Sequence, residues 1–165
     1  MKKLLSVIIM FLLVISPLAV NVSATDLSAK IQPAVNQRIE YFKDGSYAII
    51  NYSEENLALN LVLPAAVQTK TGYKNYSFYN SDDELQWVVT VGGVFTYNGS
   101  SATCTESTVS STVYKSNWKV KSAVASKSGA TAIGDFVVKR YTLLVPVQTV
   151  NVHLTLTCSP TGTLS

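Results

Sequence analysis

The stretch LQWVVTVGGVFTYNGSSATCT, residues 85–105, carries the strongest fold signal in this chain. Its first thirteen residues alternate at period two, which is the side-chain period of a β-strand. One phase is apolar and the other is mixed with threonine and glycine. The apolar phase holds Trp87, Val89, Val91, Gly93, Phe95 and Tyr97. The stretch therefore predicts a long strand over 85–97 with one buried face.

The pair Asn98-Gly99 follows that strand and predicts a two-residue type I′ turn. Such a turn would place Phe95 opposite Ala102 and Gly93 opposite Cys104, so that the cysteine points inward. Gly93 would then leave room for a buried sulfur. Alternatively, the two adjacent glycines at 92–93 mark a bulge in the strand.

A second clear alternation lies near the end of the chain, in VNVHLTLTC at 150–158. Its apolar phase ends on Cys158, and the polar phase contains His153. Both cysteines are thus predicted on the buried faces of strands.

Asp44-Gly45 divides two strand-like runs in RIEYFKDGSYAIINY and predicts a first hairpin with Phe42 opposite Tyr47. Residues 53–71 are ambiguous, because Ser53 with two glutamates resembles a helix start while the leucines at 57–63 alternate as in a strand. The strand is the favoured alternative.

Further strand-like runs separated by turn signals bring the count to about eight to ten strands. The fold class predicted is all-β, an antiparallel β-sandwich or barrel with one disulfide.

The first 24 residues have the three parts of a secretory signal peptide: Lys2 and Lys3, an apolar run, and a small-residue cleavage site ending at Ala24. Pro17 and that site argue against a membrane anchor. We expect cleavage after Ala24, an extended lead-in over 25–37, and a single β domain over 38–165. The protein is then secreted and extracellular, with no membrane span after cleavage.

Cleavage leaves eleven basic and ten acidic side chains. Because no basic patch with interleaved aromatics is apparent, nucleic acid is not an expected partner. No polybasic cluster lies beside an amphipathic helix, which argues against electrostatic binding to membranes.

Cys104 and Cys158 form an even pair in a chain expected to be exported, which favours a disulfide over a metal site or a catalytic thiol. The bridge would close a loop of about 55 residues and stabilise the fold by about 4 kcal/mol.

The chemistry-bearing residues are few. His153 is the single histidine and is expected at the surface, because it lies in the polar phase of its strand; no Gly-x-Ser-x-Gly motif accompanies it to indicate a catalytic triad. The acidic run Asp82, Asp83 and Glu84 is typical of a solvated turn, with a calcium site as the speculative alternative. No catalytic residue, no metal site and no cofactor are predicted.

Tyr73, Tyr76 and Tyr79 are candidates for an exposed binding face, although core packing explains such residues equally well.

The blocks YFKDGSY, LQWVVTVGGVFTYNGSSATCT, SGATAIGDFVVKRY and LTCSPTGTLS resemble a family of uncharacterised small secreted proteins, a domain of unknown function, from clostridia-like Gram-positive bacteria. The resemblance spans most of residues 38–165. It implies the Cys104–Cys158 pairing and no activity, cofactor or site.

The function expected from these observations is a non-catalytic binding, surface-associated or structural module. Its partner would be a protein or carbohydrate at the cell exterior. A secreted hydrolase and a secreted toxin or bacteriocin-like factor are the alternatives. The toxin hypothesis rests on the Ser/Thr alternation over 100–113, which could form an amphipathic hairpin.

Overall fold

The computed structural model describes residues 37–55 and 67–165, and these form eight β-strands. The strands are β1 (Gln37–Tyr41), β2 (Tyr47–Glu55), β3 (Gln68–Tyr79), β4 (Leu85–Tyr97), β5 (Ala102–Val113), β6 (Trp118–Ser128), β7 (Thr131–Thr142) and β8 (Val145–Thr157). The all-β prediction is confirmed, and within the described ranges no helix is long and apolar enough to cross a bilayer.

The strands form two antiparallel sheets in which neighbours in the chain are neighbours in space. Sheet A has the order β1-β2-β3-β4-β5, and sheet B has the order β6-β7-β8. Strand β8 packs across β3 and β4, so the inner faces of the two sheets meet. This packing fits the sandwich rather than the barrel.

Aromatic rings fill the core at one end of the sandwich. Trp87 stacks on Phe78 with ring centroids 4.9 Å apart, and the edge of Trp118 meets the same pair. The buried Trp118 Nε1 donates to Gln86 Oε1 at 3.2 Å. Trp87 Nε1 is also buried, and it has no hydrogen-bond partner among the described residues.

The two strongest alternations correspond to real strands. Strand β4 has the predicted bounds 85–97, and its apolar phase from Trp87 to Phe95 is buried. Strand β8 buries Val150, Val152, Leu154 and Leu156, and Cys158 follows them into the core. Apolar burial on one face fixed the register of both strands.

The turn at Asn98 differs from the prediction. Tyr97 pairs with Ala102, and four residues connect the strands, of which Gly99 alone has a positive φ, at 86°. Asn98 Oδ1 instead accepts hydrogen bonds from the amides of Ser100 and Ser101. The asparagine therefore caps the loop with its side chain and not with a left-handed backbone.

The predicted opposition of Gly93 and Cys104 is also wrong. A bulge at Thr105 puts Phe95 opposite Cys104 and Gly93 opposite Ser107. A Cβ at Gly93 would lie 2.4 Å from Cζ of Phe95, so this glycine makes room for a ring and not for a sulfur.

The first hairpin exists, but Tyr41 and not Phe42 lies opposite Tyr47. Gly45 takes the left-handed conformation at φ 81°, while the Asp44 carboxylate accepts hydrogen bonds from Ser46. One extra residue in the turn shifts the register by one position.

Residues 53–55 belong to β2, so the alternative helix start at Ser53 is wrong. The leucines at 57–63 lie outside the described residues, as do the expected signal peptide at 1–24 and residues 25–36 of the lead-in. Strand β1 begins at Gln37, one residue before the predicted domain boundary. The stretch 100–113 is mostly the single strand β5 of sheet A and not the hairpin that the toxin hypothesis required.

Candidate functional site

The unequal width of the two sheets creates a groove at one side of the sandwich. Sheet B has three strands against five, and its edge strand β8 lies over β3 and β4. The inner face of β1 and β2 extends past that edge. A groove of about 350 Å³ results, lined by Gln37, Arg38, Ile50, Tyr52, Lys74, His153, Leu154 and Thr155.

Two cations lie on the inner face of sheet A in this groove. Arg38 is directly opposite Ile50, which packs against the core, and Lys74 is directly opposite Tyr52. Directly opposed residues share a face of the sheet. The phase that carries the buried Tyr76 and Phe78 on β3 therefore continues to Lys74 in the groove.

Lys74 is held across the gap between the sheets. Its Nζ donates to the main-chain oxygen of Thr155 on β8 at 2.9 Å. Burial lowers the pKa of the Lys74 amine, and the nearby Arg38 guanidinium lowers it further. A groove that contains two like charges favours a ligand of opposite charge.

The ion pairs of the described residues leave both groove cations out. They join Lys70 to Glu54, Lys115 to Glu84, and His153 to Asp135. No carboxylate is among the groove residues within the described ranges, and Glu40, two residues from Arg38 on the same face of β1, lies outside the groove lining.

His153 lies at the rim of the groove, as an exposed residue of β8. Its Nδ1 is 2.7 Å from Oδ1 of Asp135, directly opposite on β7. Both side chains are more than half exposed on the outer face of sheet B. Among the described groove residues there is neither a serine nor a cysteine that could serve as a nucleophile.

The acidic run 82–84 forms the β3–β4 turn, as predicted. Asn80 Oδ1 accepts hydrogen bonds from the amides of Asp82 and Glu84, and the Glu84 carboxylate forms an ion pair with Lys115 at 3.2 Å. The hydrogen bond and charge of Lys115 lower the pKa of Glu84. Within the described ranges, acidic, histidine and cysteine side chains form no group that could hold a metal ion, so Asp82, Asp83 and Glu84 are not brought together as calcium ligands.

The three tyrosines proposed as one binding face lie in different environments. Tyr76 is in the core, stacked on Trp87, and burial raises its pKa. Tyr79 stacks on Tyr47 at 4.9 Å, and Tyr73 is partly exposed six residues earlier in β3. Because Tyr76 has the opposite phase to Tyr73 and Tyr79, the three do not form one surface.

Both cysteines are free thiols in the structure, so the expected disulfide is not formed there. Each is buried, and burial raises the pKa of both thiols. The amide of Cys104 bonds to the oxygen of Gly129 and the amide of Cys158 to that of Ala130. The cysteines are thus anchored to consecutive residues of the β6–β7 turn.

Arg38 and Lys74 were not recognised from the sequence. The available signal was a charged residue in the apolar phase of a strand, as Lys74 stands in phase with Tyr76 and Phe78. The two residues form a groove only together with β8, the edge strand of sheet B. That arrangement depends on contacts between strands that are far apart in the chain.

No protein-family model matches this chain. No curated protein and no solved structure matches it. The resemblance to the clostridia-like family of secreted proteins therefore stays a prediction.

Proposed function

We propose that this chain is a non-catalytic binding module that holds an anionic ligand in the groove between β8 and the uncovered inner face of β1 and β2. The observation that carries the proposal is the presence of Arg38 and Lys74 in one groove without a carboxylate among its described residues. Lys74 is partly buried, and a partly desolvated cation interacts with an anion more strongly than a cation in bulk water does, while Arg38 adds a second, exposed positive charge.

The position of Lys74 favours a compact anion, or the acidic group of a larger molecule, as the ligand. The bond from Lys74 to Thr155 places an ammonium against the edge of β8. Lysines at sheet edges oppose the addition of another strand. An extended peptide that pairs with β8 is therefore disfavoured, whereas a phosphate or carboxylate group could bind both cations by charge-assisted hydrogen bonds.

Isothermal titration calorimetry of the purified chain with inorganic pyrophosphate tests the proposal by measuring the dissociation constant. Arg38→Gln and Lys74→Gln should each weaken binding about tenfold or more, because each removes a charge-assisted hydrogen bond. Lys139→Gln is the matched control, since Lys139 lies on β7 of the other sheet and outside the groove. It should leave the affinity within twofold.

Equal losses in all three variants would show non-specific attraction to surface charge and would overturn the proposal. Thermal unfolding of each variant establishes that the fold is retained.

We also propose that the chain is exported and that its cysteines are oxidised outside the cell. Their burial and their attachment to adjacent residues of one turn support a Cys104–Cys158 bridge. The two thiols would lose two protons and two electrons to an exchanging disulfide of an extracellular oxidoreductase, which is reduced to a dithiol. The unreduced chain from culture medium should start at Thr25 and contain no free thiol. Two alkylatable thiols would contradict the bridge.

Hydrolysis is the second candidate function, and the contact between His153 and Asp135 favours it. That pair could act as a general base on a bound water. Turnover of an activated ester that is lost in His153→Ala and retained in Lys74→Gln would support hydrolysis over binding alone.

A further inference from the structure

The turn between β7 and β8 consists of two leucines in a conformation that leucine rarely adopts. Leu143 has φ 47° and Leu144 has φ 71°, both in the left-handed region. A two-residue hairpin turn with two positive φ angles is normally built from Asn-Gly or Gly-Gly. Each non-glycine residue in this region is strained by its Cβ.

The same leucines are almost completely exposed, Leu143 to 93% and Leu144 to 88%. Because both side chains are exposed, no packing in the core offsets the strain of their backbone. Strained residues persist mainly where a function requires them, and exposed apolar protrusions mark interaction sites.

The apolar tip is larger than the turn itself. Val145 and Val147 are also more than half exposed, and Pro146 between them is exposed. Strand β6, which pairs with β7 in sheet B, begins only at Trp118 opposite Arg140. The β7–β8 hairpin therefore extends beyond the end of β6. We call residues 143–147 the apolar tip.

Three lysines lie behind the apolar tip on sheet B. Lys119 and Lys139 are directly opposite each other on β6 and β7, and Lys121 occupies a bulge two residues further along β6. Like charges directly opposite in a sheet are unfavourable for folding. None of the three lysines takes part in the ion pairs found among the described residues.

We propose that the apolar tip inserts into an anionic lipid bilayer while Lys119, Lys121 and Lys139 contact the headgroups. This site is separate from the groove and goes beyond the function proposed for it. No electrostatic membrane binding was predicted, because no polybasic cluster lies beside an amphipathic helix, but strand pairing brings lysines from two strands to one face.

The dimensions fit this arrangement. Lys139 precedes Leu143 by four residues, or about 13 Å along a strand. Interfacial apolar groups bury roughly 5–10 Å into the boundary of headgroups and acyl chains. When the tip is buried to that depth, the extended side chains of Lys119 and Lys139 reach the phosphates, and each adds attraction to an anionic surface.

A bilayer is a better match for the apolar tip than a protein partner is. Protein interfaces concentrate their affinity in tryptophan, tyrosine and arginine anchors that fill pockets. Every residue of the tip is exposed, so the tip offers no pocket, and its side chains are aliphatic. Tyr141 stands between tip and lysines with Lys119 Nζ 5.6 Å from its ring centroid, and tyrosine is typical of the membrane–water interface.

The test uses a local reporter, so that binding by other parts of the chain does not affect the result. Val145→Trp places a fluorophore in the apolar tip of the full chain, outside the left-handed pair. The emission is measured with vesicles of phosphatidylcholine and phosphatidylglycerol whose acyl chains carry bromine. The parent chain, with Trp87 and Trp118 buried, gives the background. We expect quenching by the bromolipid and protection from acrylamide.

Two further variants of the reporter chain separate the apolar and charged contributions. Leu143→Asn with Leu144→Gly supplies the favoured turn, so it should raise the midpoint of thermal unfolding while the bromolipid quenching falls at least tenfold. Lys119→Gln with Lys139→Gln should weaken the quenching about tenfold on anionic vesicles and little on neutral ones.

A reporter that stays open to acrylamide and is not quenched by bromolipid would overturn the proposal. That result would point to a protein as the partner of the tip.

Discussion

Lys74 on β3 and Thr155 on β8 join the two sheets through a hydrogen bond of 2.9 Å from the ammonium to a main-chain oxygen. The bond lies where the narrower sheet ends, and it satisfies one polar group of an edge strand. The same ammonium is desolvated beside Arg38, which lowers its pKa. A contact that protects an edge therefore also concentrates positive charge in the groove.

Lys74→Met should change the pH dependence of stability. Because the pKa of Lys74 is lowered on folding, the unfolded chain binds the proton more tightly between the lowered pKa and the ordinary lysine pKa of about 10.4. The contribution of Lys74 to the free energy of unfolding therefore rises with pH across that window. Below the window, the protonated Lys74 destabilises the folded state. Urea unfolding at pH 8 and pH 10 should show this rise for the native chain relative to Lys74→Met. An equal pH response in the two proteins would contradict it.

The two core tryptophans should respond differently to the same substitution. Trp118→Phe leaves Gln86 Oε1 without its donor, whereas Trp87→Phe removes an indole N–H that has no described partner. The volume change is the same in both. We expect Trp118→Phe to cost about 1–2 kcal/mol more than Trp87→Phe in chemical denaturation. A larger loss in Trp87→Phe would show that ring packing outweighs the hydrogen bond.

Gly93→Ala should destabilise the sandwich by about 1–3 kcal/mol through overpacking. The added methyl group would lie 2.4 Å from the Phe95 ring and 2.9 Å from Cβ of Ala132. Combining it with Phe95→Leu should restore part of the loss, because the smaller side chain frees the space. Strictly additive free energies of unfolding in the double variant would refute this explanation.

Asp44→Asn should reduce the acid sensitivity of the first hairpin. Hydrogen bonds from the hydroxyl and amide of Ser46, at 2.5 and 3.1 Å, lower the pKa of the Asp44 carboxyl. The stabilisation is present above the ordinary aspartate pKa, about 3.9, and is lost as pH falls through the lowered one. Unfolding curves at pH 6 and pH 2.5 should differ less for Asp44→Asn than for the native chain.

Local periodicity was enough to predict the strands whose two faces differ most. The bounds of β4 and the buried phase of β8 follow from alternation, because burying one face leaves a single permitted register. The turns were less predictable. The side-chain oxygens of Asn98 and Asp44 accept hydrogen bonds from backbone amides of their own loops. Each turn therefore has more residues than the Asn-Gly and Asp-Gly pairs suggested.

The groove and the apolar tip depend on pairings that a single sequence does not reveal. Arg38 and Lys74 are separated along the chain, and both line one groove with Thr155 because β8 lies over β3 and β4 and leaves β1 and β2 uncovered. The leucines at 143–144 carry no turn signal, since left-handed leucine is uncommon. Nothing in the run YTLLV at 141–145 predicts a turn, which is visible only in the β7–β8 pairing.

Amide chemical-shift mapping during titration with pyrophosphate tests most directly the claim that the groove is an anion site. We expect the largest shifts at residues 37–38, 50–52, 74 and 153–155, and we expect them to disappear in Lys74→Gln. Shifts centred on Lys119, Lys121 and Lys139, with the groove amides unchanged, would contradict it.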